Sequence, residues 1–187
     1  MHEMYFIVAL AVFFLATAAI SIYYFRRRDR VKRYPYGEWE ELLKRLSVVN
    51  RENVETIAIS ASNQQGRPQA TELEDDLDMS QIWPMIGGMD GLEVLERNCA
   101  VLVDLVFYVQ QWYPEALEIA EQLRLNAREI EWHIGRLKGA AKVGKAETSF
   151  PENAQRVIEI YYMMTRQVLS LYQQCNLPEF ADLQRAL

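Results

Sequence analysis

The stretch that decides the fold is residues 92–109, which read LEVLERNCAVLVDLVFYV. Its apolar residues recur at alternating steps of three and four, which places them along one face of an α-helix. Such a face forms a seam that packs against other helices. Two later stretches, 116–137 and 154–175, repeat this spacing over a similar length. The sequence therefore predicts an all-α protein whose helical bundle domain covers residues 81–187.

Turn-forming residues separate the three seams. Pro114 suits the first turn of a helix and disfavours the α conformation in the residue before it, which favours a tight antiparallel turn over one long helix with a kink. Gly139 and Gly144 are expected to end the second helix. Ser149 and Pro151 are expected to begin the third. These connections are short, so the bundle is predicted to be antiparallel, with three or four helices.

A further helix, or a pair of helices, is predicted over residues 38–62. Asn50 interrupts this region and is placed to cap a following helix. The apolar residues on either side keep helical spacing: Trp39, Leu42, Leu43 and Leu46 before it, and Val54, Ile57, Ala58 and Ala61 after it.

Residues 63–80 (NQQGRPQATELEDDLDMS) predict an acidic linker, because they combine turn-forming residues with a run of carboxylates. A calcium loop starting at Asp76 would need glycine at its sixth position and glutamate at its twelfth. Those positions hold Gln81 and Gly87, so the stretch is not an EF-hand. Leu73 and Leu77 among the carboxylates are typical of a docking peptide, or of a flexible linker that packs on the domain.

The first seam helix has more apolar surface than a three-helix bundle needs. Residues 99–109 contain a single charge, Asp104. The surplus face either packs against the 38–62 region as a fourth bundle member or binds another protein or a second copy. The residues predicted for such a protein interface are Val101, Leu105, Phe107, Tyr108 and Trp112.

The N-terminal region predicts a single transmembrane helix. Residues 4–25 contain no charge, and 22 residues in a helix span about 33 Å, enough for a bilayer core of about 30 Å. A cleaved signal peptide is the alternative, but the residues before the apolar run include no Lys or Arg, and a basic cluster follows it. Residues 1–3 then form a short tail outside the membrane.

A basic juxtamembrane segment follows at residues 26–37. By the positive-inside rule, it places the N-terminus outside and the C-terminal domain in the cytoplasm of a single-pass cell-membrane protein. Its cations are also expected to contact anionic lipid headgroups at the membrane surface. They are Arg26, Arg27, Arg28, Arg30, Lys32 and Arg33.

The net charge of −6 combines two regions of opposite sign. Residues 26–33 carry +5, the chain from Tyr34 onward carries −10, and Glu3 contributes the remaining −1. An acidic domain is repelled by the phosphates of nucleic acids and by an anionic membrane. We therefore expect no nucleic-acid partner and a domain that projects away from the lipid surface.

No catalytic, cofactor or metal site is predicted. Residues 139–145 match the spacing of a phosphate-binding loop, but Ala146 replaces the Ser or Thr that would hold magnesium, and a helix precedes the loop. His133 lacks the additional ligands that a zinc or di-iron site requires, and is expected to be a surface or partly buried packing residue. Cys99 and Cys175 fall on packing seams, so thiol chemistry is not indicated.

The expected function is that of a membrane-anchored cytoplasmic protein-interaction module, an adaptor or assembly subunit without enzymatic activity. One alternative is a membrane-tethered helical sensor that binds a small apolar or aromatic ligand in the bundle. A second alternative is an enzyme. The residues for the sensor would be Trp132, Tyr161 and Met164, and those for the enzyme Glu129, Glu131 and His133.

Overall fold

The computed structural model describes residues 38–65, 79–142 and 146–187, together with Thr17 and Ser21. All regular secondary structure in these residues is α-helical, which confirms the prediction of an all-α protein.

The predicted membrane helix at 4–25 and the basic cluster at 26–33 lie outside the described residues, apart from Thr17 and Ser21, which are helical. The central part of the acidic linker, residues 66–78, lies outside them as well. None of the helices in the described part has the length and apolar character of a membrane span.

Residues 38–187 form a compact unit of their own, separate from the first 37 residues. Its described residues form seven helices. In chain order they are α1 (Trp39–Arg45), α2 (Arg51–Gln65), α3 (Met79–Ile86), α4 (Gly88–Gln110), α5 (Ala116–Lys142), α6 (Ala146–Gln174) and α7 (Phe180–Ala186).

The core is built from the three predicted seams, which meet where α4, α5 and α6 pack together. Alternating steps of three and four keep each seam on one helix face, so each long helix can exclude water along its whole length. The seam residues with no exposed surface are Leu92, Leu95, Leu102, Val106, Val109, Ala116, Ala120, Leu123, Ile130, Ala154, Val157, Met164 and Val168.

Ion pairs between the long helices establish their directions. Lys138, near the end of α5, places Nζ 2.9 Å from Oε1 of Glu93, near the start of α4. Arg156 on α6 places Nη2 2.9 Å from Oε1 of Glu129, at the middle of α5, and Asn153, three residues earlier on α6, places Oδ1 2.8 Å from Nδ1 of His133, four residues later on α5. Because contacts move backwards along one helix as they move forwards along the other, α5 runs antiparallel to α6, and the Lys138–Glu93 pair shows the same for α4 and α5.

The chain turns tightly at Pro114, as the sequence favoured. The N–H of Tyr113 donates to the carbonyl of Val109 at 3.1 Å, and the N–H of Ala116 donates to the carbonyl of Tyr113 at 3.0 Å. α4 therefore ends at Gln110 and α5 begins at Ala116, with five residues between them. The alternative of one kinked helix is therefore wrong.

The connection between α5 and α6 differs from the prediction. α5 continues through Gly139 to Lys142, and α6 begins at Ala146 instead of Ser149. Glycine in a helix interior costs roughly 1 kcal/mol relative to alanine, and the buried inner face of α5 outweighs that cost. Gly139 therefore does not end the helix, and Gly144 lies outside the described residues.

The 38–62 region is a helix pair. The side-chain Oδ1 of Asn50 accepts a hydrogen bond from the N–H of Asn53 at 3.1 Å, which confirms the predicted cap of α2. α2 packs chiefly on α6, whereas α1 packs on α4 and covers part of its surplus apolar face. Arg45 on α1 pairs with Asp104 on α4 at 2.7 Å, so the charge within that face has a partner.

Helix α3 was not predicted, since its first residues were assigned to the acidic linker. Ile82 and Ile86 bury its inner face. Gly87 and Gly88 follow with φ of +80° and +68°, a left-handed conformation that redirects the chain into α4. A Cβ at Gly91 would collide with the carbonyl oxygen of Ile86, so this sharp turn also needs glycine at that position.

A buried amide fixes the α1–α2 connection to the core. Asn98 on α4 is 1% exposed, and its Oδ1 accepts from the N–H of Ser47 at 2.9 Å. Its Nδ2 donates to the carbonyl of Ser47 at 2.8 Å and to the hydroxyl of Tyr161 at 3.3 Å. Asn98 thus connects α4 to Ser47, which lies between α1 and α2, and to Tyr161 on α6. Without this side chain, the backbone groups of Ser47 and the hydroxyl of Tyr161 would each lose a hydrogen-bond partner.

We predict that Asn98→Ala lowers the free energy of unfolding by about 2–3 kcal/mol, because it removes three bonds and leaves buried polar groups unpaired. Urea denaturation of the full chain followed by far-UV circular dichroism measures the change. Asn126→Ala is the control, because Asn126 is also buried and its amide accepts one bond, from Gln122 at 3.1 Å. Equal losses in both variants would contradict this role for Asn98.

Candidate interaction surface

The five residues predicted as a protein interface separate into two groups. Val101 is 3% exposed and Leu105 has no exposed surface, so both lie inside the unit and are covered by the same chain. Phe107 and Tyr108 are half-buried, whereas Trp112 is 56% exposed. The exposed part of the predicted interface therefore lies at the C-terminal end of α4 and in the turn that follows it.

An aromatic cluster forms at this end of the bundle from Trp39, Tyr108, Trp112 and Tyr172. The Trp39 ring lies 5.9 Å from the Tyr108 ring and 5.7 Å from the Tyr172 ring. Tyr108 meets Trp112 edge-on at 4.9 Å. Aromatic pairs at these separations attract one another beyond their simple burial, so the cluster holds its exposed member in place.

Tyr172 anchors the aromatic cluster to the core. It is fully buried, and its hydroxyl donates to the carbonyl of Leu105 at 2.9 Å. Beside the cluster, the hydroxyl of Tyr113 donates to the carbonyl of Cys175 at 3.2 Å. The turn that carries Trp112 is therefore bonded to the residues that follow α6.

Two carboxylates act on the aromatic cluster. The pKa of Tyr108 is raised, first by burial and then by the negative charges of Glu179 and Glu38. The pKa of Tyr172 is raised by burial, by Tyr108 and by Glu179. The exposed edge of the cluster thus combines apolar rings with a negative potential.

Sequence reasoning found part of this surface. It placed Trp39 on an amphipathic helix and Tyr108 and Trp112 on a free face, but did not connect the two regions. Tyr172 was not predicted to belong to it. The residues around a tyrosine in a helix do not indicate whether its hydroxyl is buried and hydrogen-bonded or exposed to solvent. The contacts that bring Trp39 and Tyr172 to the end of α4 join positions more than 60 residues apart.

The side chain of His133, on α5, packs against α6. Its Nδ1 lies 2.8 Å from Oδ1 of Asn153, its Nε2 lies 3.9 Å from Oε1 of Glu129, and its ring meets Trp132 edge-on at 4.7 Å. The predicted role as a partly buried packing residue is confirmed by these contacts. Glu129 is also bound by Arg156 at 2.9 Å.

Among the described residues, no three His, Cys, Asp or Glu side chains are grouped so that they could hold a metal ion.

Both cysteines have raised pKa values. Burial and the charge of Glu96 raise the pKa of Cys99 far above that of a free thiol. Burial and Glu115 raise the pKa of Cys175. A thiol that remains protonated is a poor nucleophile and a poor metal ligand.

The residues expected to line a ligand site do not share a cavity wall. Tyr161 and Met164 are buried in the core, whereas Trp132 is 56% exposed on the outside of α5. A surface groove of about 320 Å³ runs instead between the first half of α5 and the second half of α6. It is lined by Glu118, Ile119, Gln122, Gln167, Ser170, Leu171 and Gln174.

No protein family, curated protein or solved structure matches this chain. Its function has to be inferred from its own residues.

We predict that the free energy of unfolding falls as the pH rises from about 8.5 to about 10. Cys99 keeps its proton in the folded state because its pKa is raised, whereas the unfolded thiol ionises near pH 8.5. The unfolded state therefore binds fewer protons above that pH, and its stability relative to the folded state increases.

Urea denaturation at three pH values measures this dependence. Cys99→Ala should flatten the curve below about pH 10, where tyrosines begin to ionise. Cys175→Ala should flatten it less, because Cys175 is only half-buried. A stability that stays constant over this range would contradict the burial argument.

Proposed function

We propose that this protein is a membrane-anchored cytoplasmic interaction module, an adaptor or assembly subunit that is not itself an enzyme. The observation that carries the proposal is the aromatic cluster, which supports an exposed Trp112 on a rigid helical end. A helical frame that presents large aromatic side chains at one end is suited to binding another protein.

The composition of this end favours a protein partner. Tryptophan and tyrosine are enriched among the residues that contribute most to binding, because they cover a large area and lose little conformational entropy. Trp112 is followed directly by Tyr113, whose side chain is 37% exposed. Two adjacent, partly exposed rings, held by hydrogen bonds and ring contacts, meet that description.

The charge around the aromatic cluster favours one class of partner segment. Glu38 and Glu179 act on Tyr108, and Glu115 lies in the turn beside Trp112. A partner segment with an apolar side chain and an adjacent Lys or Arg would place its cation among these carboxylates and over the rings. We therefore propose a basic, apolar-tipped segment as the partner.

The membrane part of the proposal rests on the N-terminal sequence. The uncharged run at 4–25 has the length of a bilayer span, and the basic cluster at 26–33 has the position of a cytoplasmic flank. Such an anchor would keep the interaction module at the cytoplasmic face of the cell membrane, with the basic residues against anionic headgroups.

The sensor alternative is less well supported. It was proposed for an apolar or aromatic ligand, whereas the groove between α5 and α6 is lined mainly by amide and other polar side chains. Tyr161 and Met164 fill the core. The interaction module is therefore the function that the described residues support best.

We predict that a photoreactive amino acid at position 112 crosslinks the full chain to one partner protein in its native membrane. The same group at position 48 is the control, because Val48 is 96% exposed and follows Ser47, which is bonded to Asn98, ten residues before Tyr108 on α4. Trp112→Ala should weaken binding of the purified partner by roughly 30-fold, the equivalent of about 2 kcal/mol.

Reversing the charges of Glu38 and Glu179 to lysine should also weaken binding, because it removes the attraction for a basic segment. Equal crosslinking at positions 48 and 112 would contradict the proposed surface. Unchanged affinity after charge reversal would contradict the proposed partner class.

We predict that the full chain stays in the membrane pellet after alkaline carbonate extraction, and that deletion of residues 4–25 releases it. Protease added to sealed inside-out vesicles should digest residues 38–187, because these face the cytoplasm. Replacing the six basic residues of 26–33 by glutamine should lower the fraction with this orientation. Release of the full chain by carbonate would refute the anchor.

A further inference from the structure

The side of α5 that faces away from the core presents three large apolar side chains to solvent. Trp132 is 56% exposed, Leu125 is 57% exposed and Leu117 is 45% exposed. Eight positions separate the two leucines and seven separate Leu125 from Trp132, close to two helical turns in each case. The three side chains therefore share one side of the helix, opposite the seam that packs in the core.

Two charged residues of opposite sign lie between these apolar side chains. Glu121 is one helical turn from Leu117 and one turn from Leu125, and Arg128 is placed in the same way between Leu125 and Trp132. Both charged residues are exposed. We call this line of five residues the α5 outer stripe: Leu117, Glu121, Leu125, Arg128 and Trp132.

The α5 outer stripe keeps its pattern when the helix is reversed about Leu125. Reversal places Leu117 opposite Trp132 and Glu121 opposite Arg128, each to within one residue position, or about 1.5 Å along the helix. Leu125 then lies opposite itself. Apolar residues thus meet apolar residues and the acid meets the base, so the stripe is complementary to an antiparallel copy of itself.

The charges on the two flanks of the stripe cancel. Glu121 lies 3.6 Å from Arg124 of the same helix. The guanidinium of Arg136 lies over the Trp132 ring, 4.8 Å from its centroid. The exposed flanking charges before Lys142, the last residue of α5, are Glu118, Arg124, Glu131 and Arg136. With one acid and one base in the stripe itself, the face carries no net charge and does not repel a second copy.

Arg128 makes no ion pair within the described part of the chain. Two charged side chains of α5 outside the stripe are bound by other helices. Glu129 lies 2.9 Å from Arg156, and Lys138 lies 2.9 Å from Glu93. Arg128 is therefore available to a carboxylate from outside the unit, and reversal of the helix places Glu121 of a second copy beside it.

We propose that two copies of this protein associate through their α5 outer stripes, antiparallel and about a two-fold axis beside Leu125. Trp132 of each copy then covers Leu117 of the other, and Glu121 pairs with Arg128 twice. A single pair of helices buries less area than a standard protein interface, so the dimer is weak and concentration-dependent. This inference goes beyond the proposed function, because it uses a different surface and a different partner from the aromatic cluster.

Disulfide trapping in the full chain tests the arrangement. In a chain that also carries Cys175→Ala, Leu125→Cys should form a covalent dimer under mild oxidation, because a residue beside the two-fold axis lies close to its own copy. Leu117→Cys and Trp132→Cys should each form little dimer alone, whereas mixing the two variants should yield the mixed dimer. Arg97→Cys is the control, because Arg97 is exposed on α4.

Charge reversal tests the pairing of Glu121 with Arg128. Analytical ultracentrifugation of the full chain in a mild non-ionic detergent measures the dissociation constant of the dimer. Glu121→Arg and Arg128→Glu should each raise this constant at least 10-fold, because each change disrupts two symmetry-related pairs. Both changes in one chain should restore the wild-type value, and Arg97→Glu should leave it unchanged. About 0.5 M salt should weaken the wild-type dimer, since exposed charges are screened.

The apolar part of the stripe has its own matched pair of variants. Trp132→Ala should weaken the dimer, whereas Trp112→Ala, which alters an equally exposed tryptophan, should not. A monomeric wild type, a dimer that these changes leave unaltered, equal trapping at positions 97 and 125, or capture of a different protein at position 125 would overturn the proposal. Crosslinking at position 112 does not depend on any of these results, so the two proposals fail independently.

Discussion

The fold depends on the burial of α4 on nearly all its sides. Leu92, Leu95 and Leu102 face the seams of α5 and α6, while Val101 and Leu105 also lose their exposed surface. Two neighbouring helices cannot cover so wide an apolar face, so α1 and α3 also pack on α4. The hydrophobic effect, which scales with the apolar area removed from water, therefore determines how many helices the unit needs.

The polar groups on α4 determine where those additional elements attach. Asn98 binds both backbone groups of Ser47, and Asp104 binds Arg45. A buried amide without a partner is costly, so the bonds of Asn98 favour one register of α1 on α4, and the partly exposed Arg45–Asp104 pair is compatible with the same register. Because α4 is enclosed by its own chain, the exposed aromatic surface near it is confined to its C-terminal end, at the aromatic cluster.

Local signals in the sequence predicted much of the fold. The three seams, the cap at Asn50 and the turn at Pro114 involve residues within one or two helical turns of each other, and spacing alone specifies them. Helix α3 was missed because its eight residues are too few to establish a period, and Pro84 lies among them. Gly139 was wrongly predicted to end α5. The helix continues past this glycine because the face of α5 that packs in the core still favours the helical conformation there.

The sequence by itself determined that the chain forms amphipathic helices, which of their faces are apolar, and that its charge is divided between a basic cluster and an acidic remainder. Only the tertiary structure decided which apolar residues are covered by the same chain. Leu105 is enclosed and Trp112 is exposed, although the sequence predicted both for one interface. The physical reason is that burial depends on elements distant in sequence: Trp39 and Tyr172 reach the end of α4 only when α1 and α6 have packed against it.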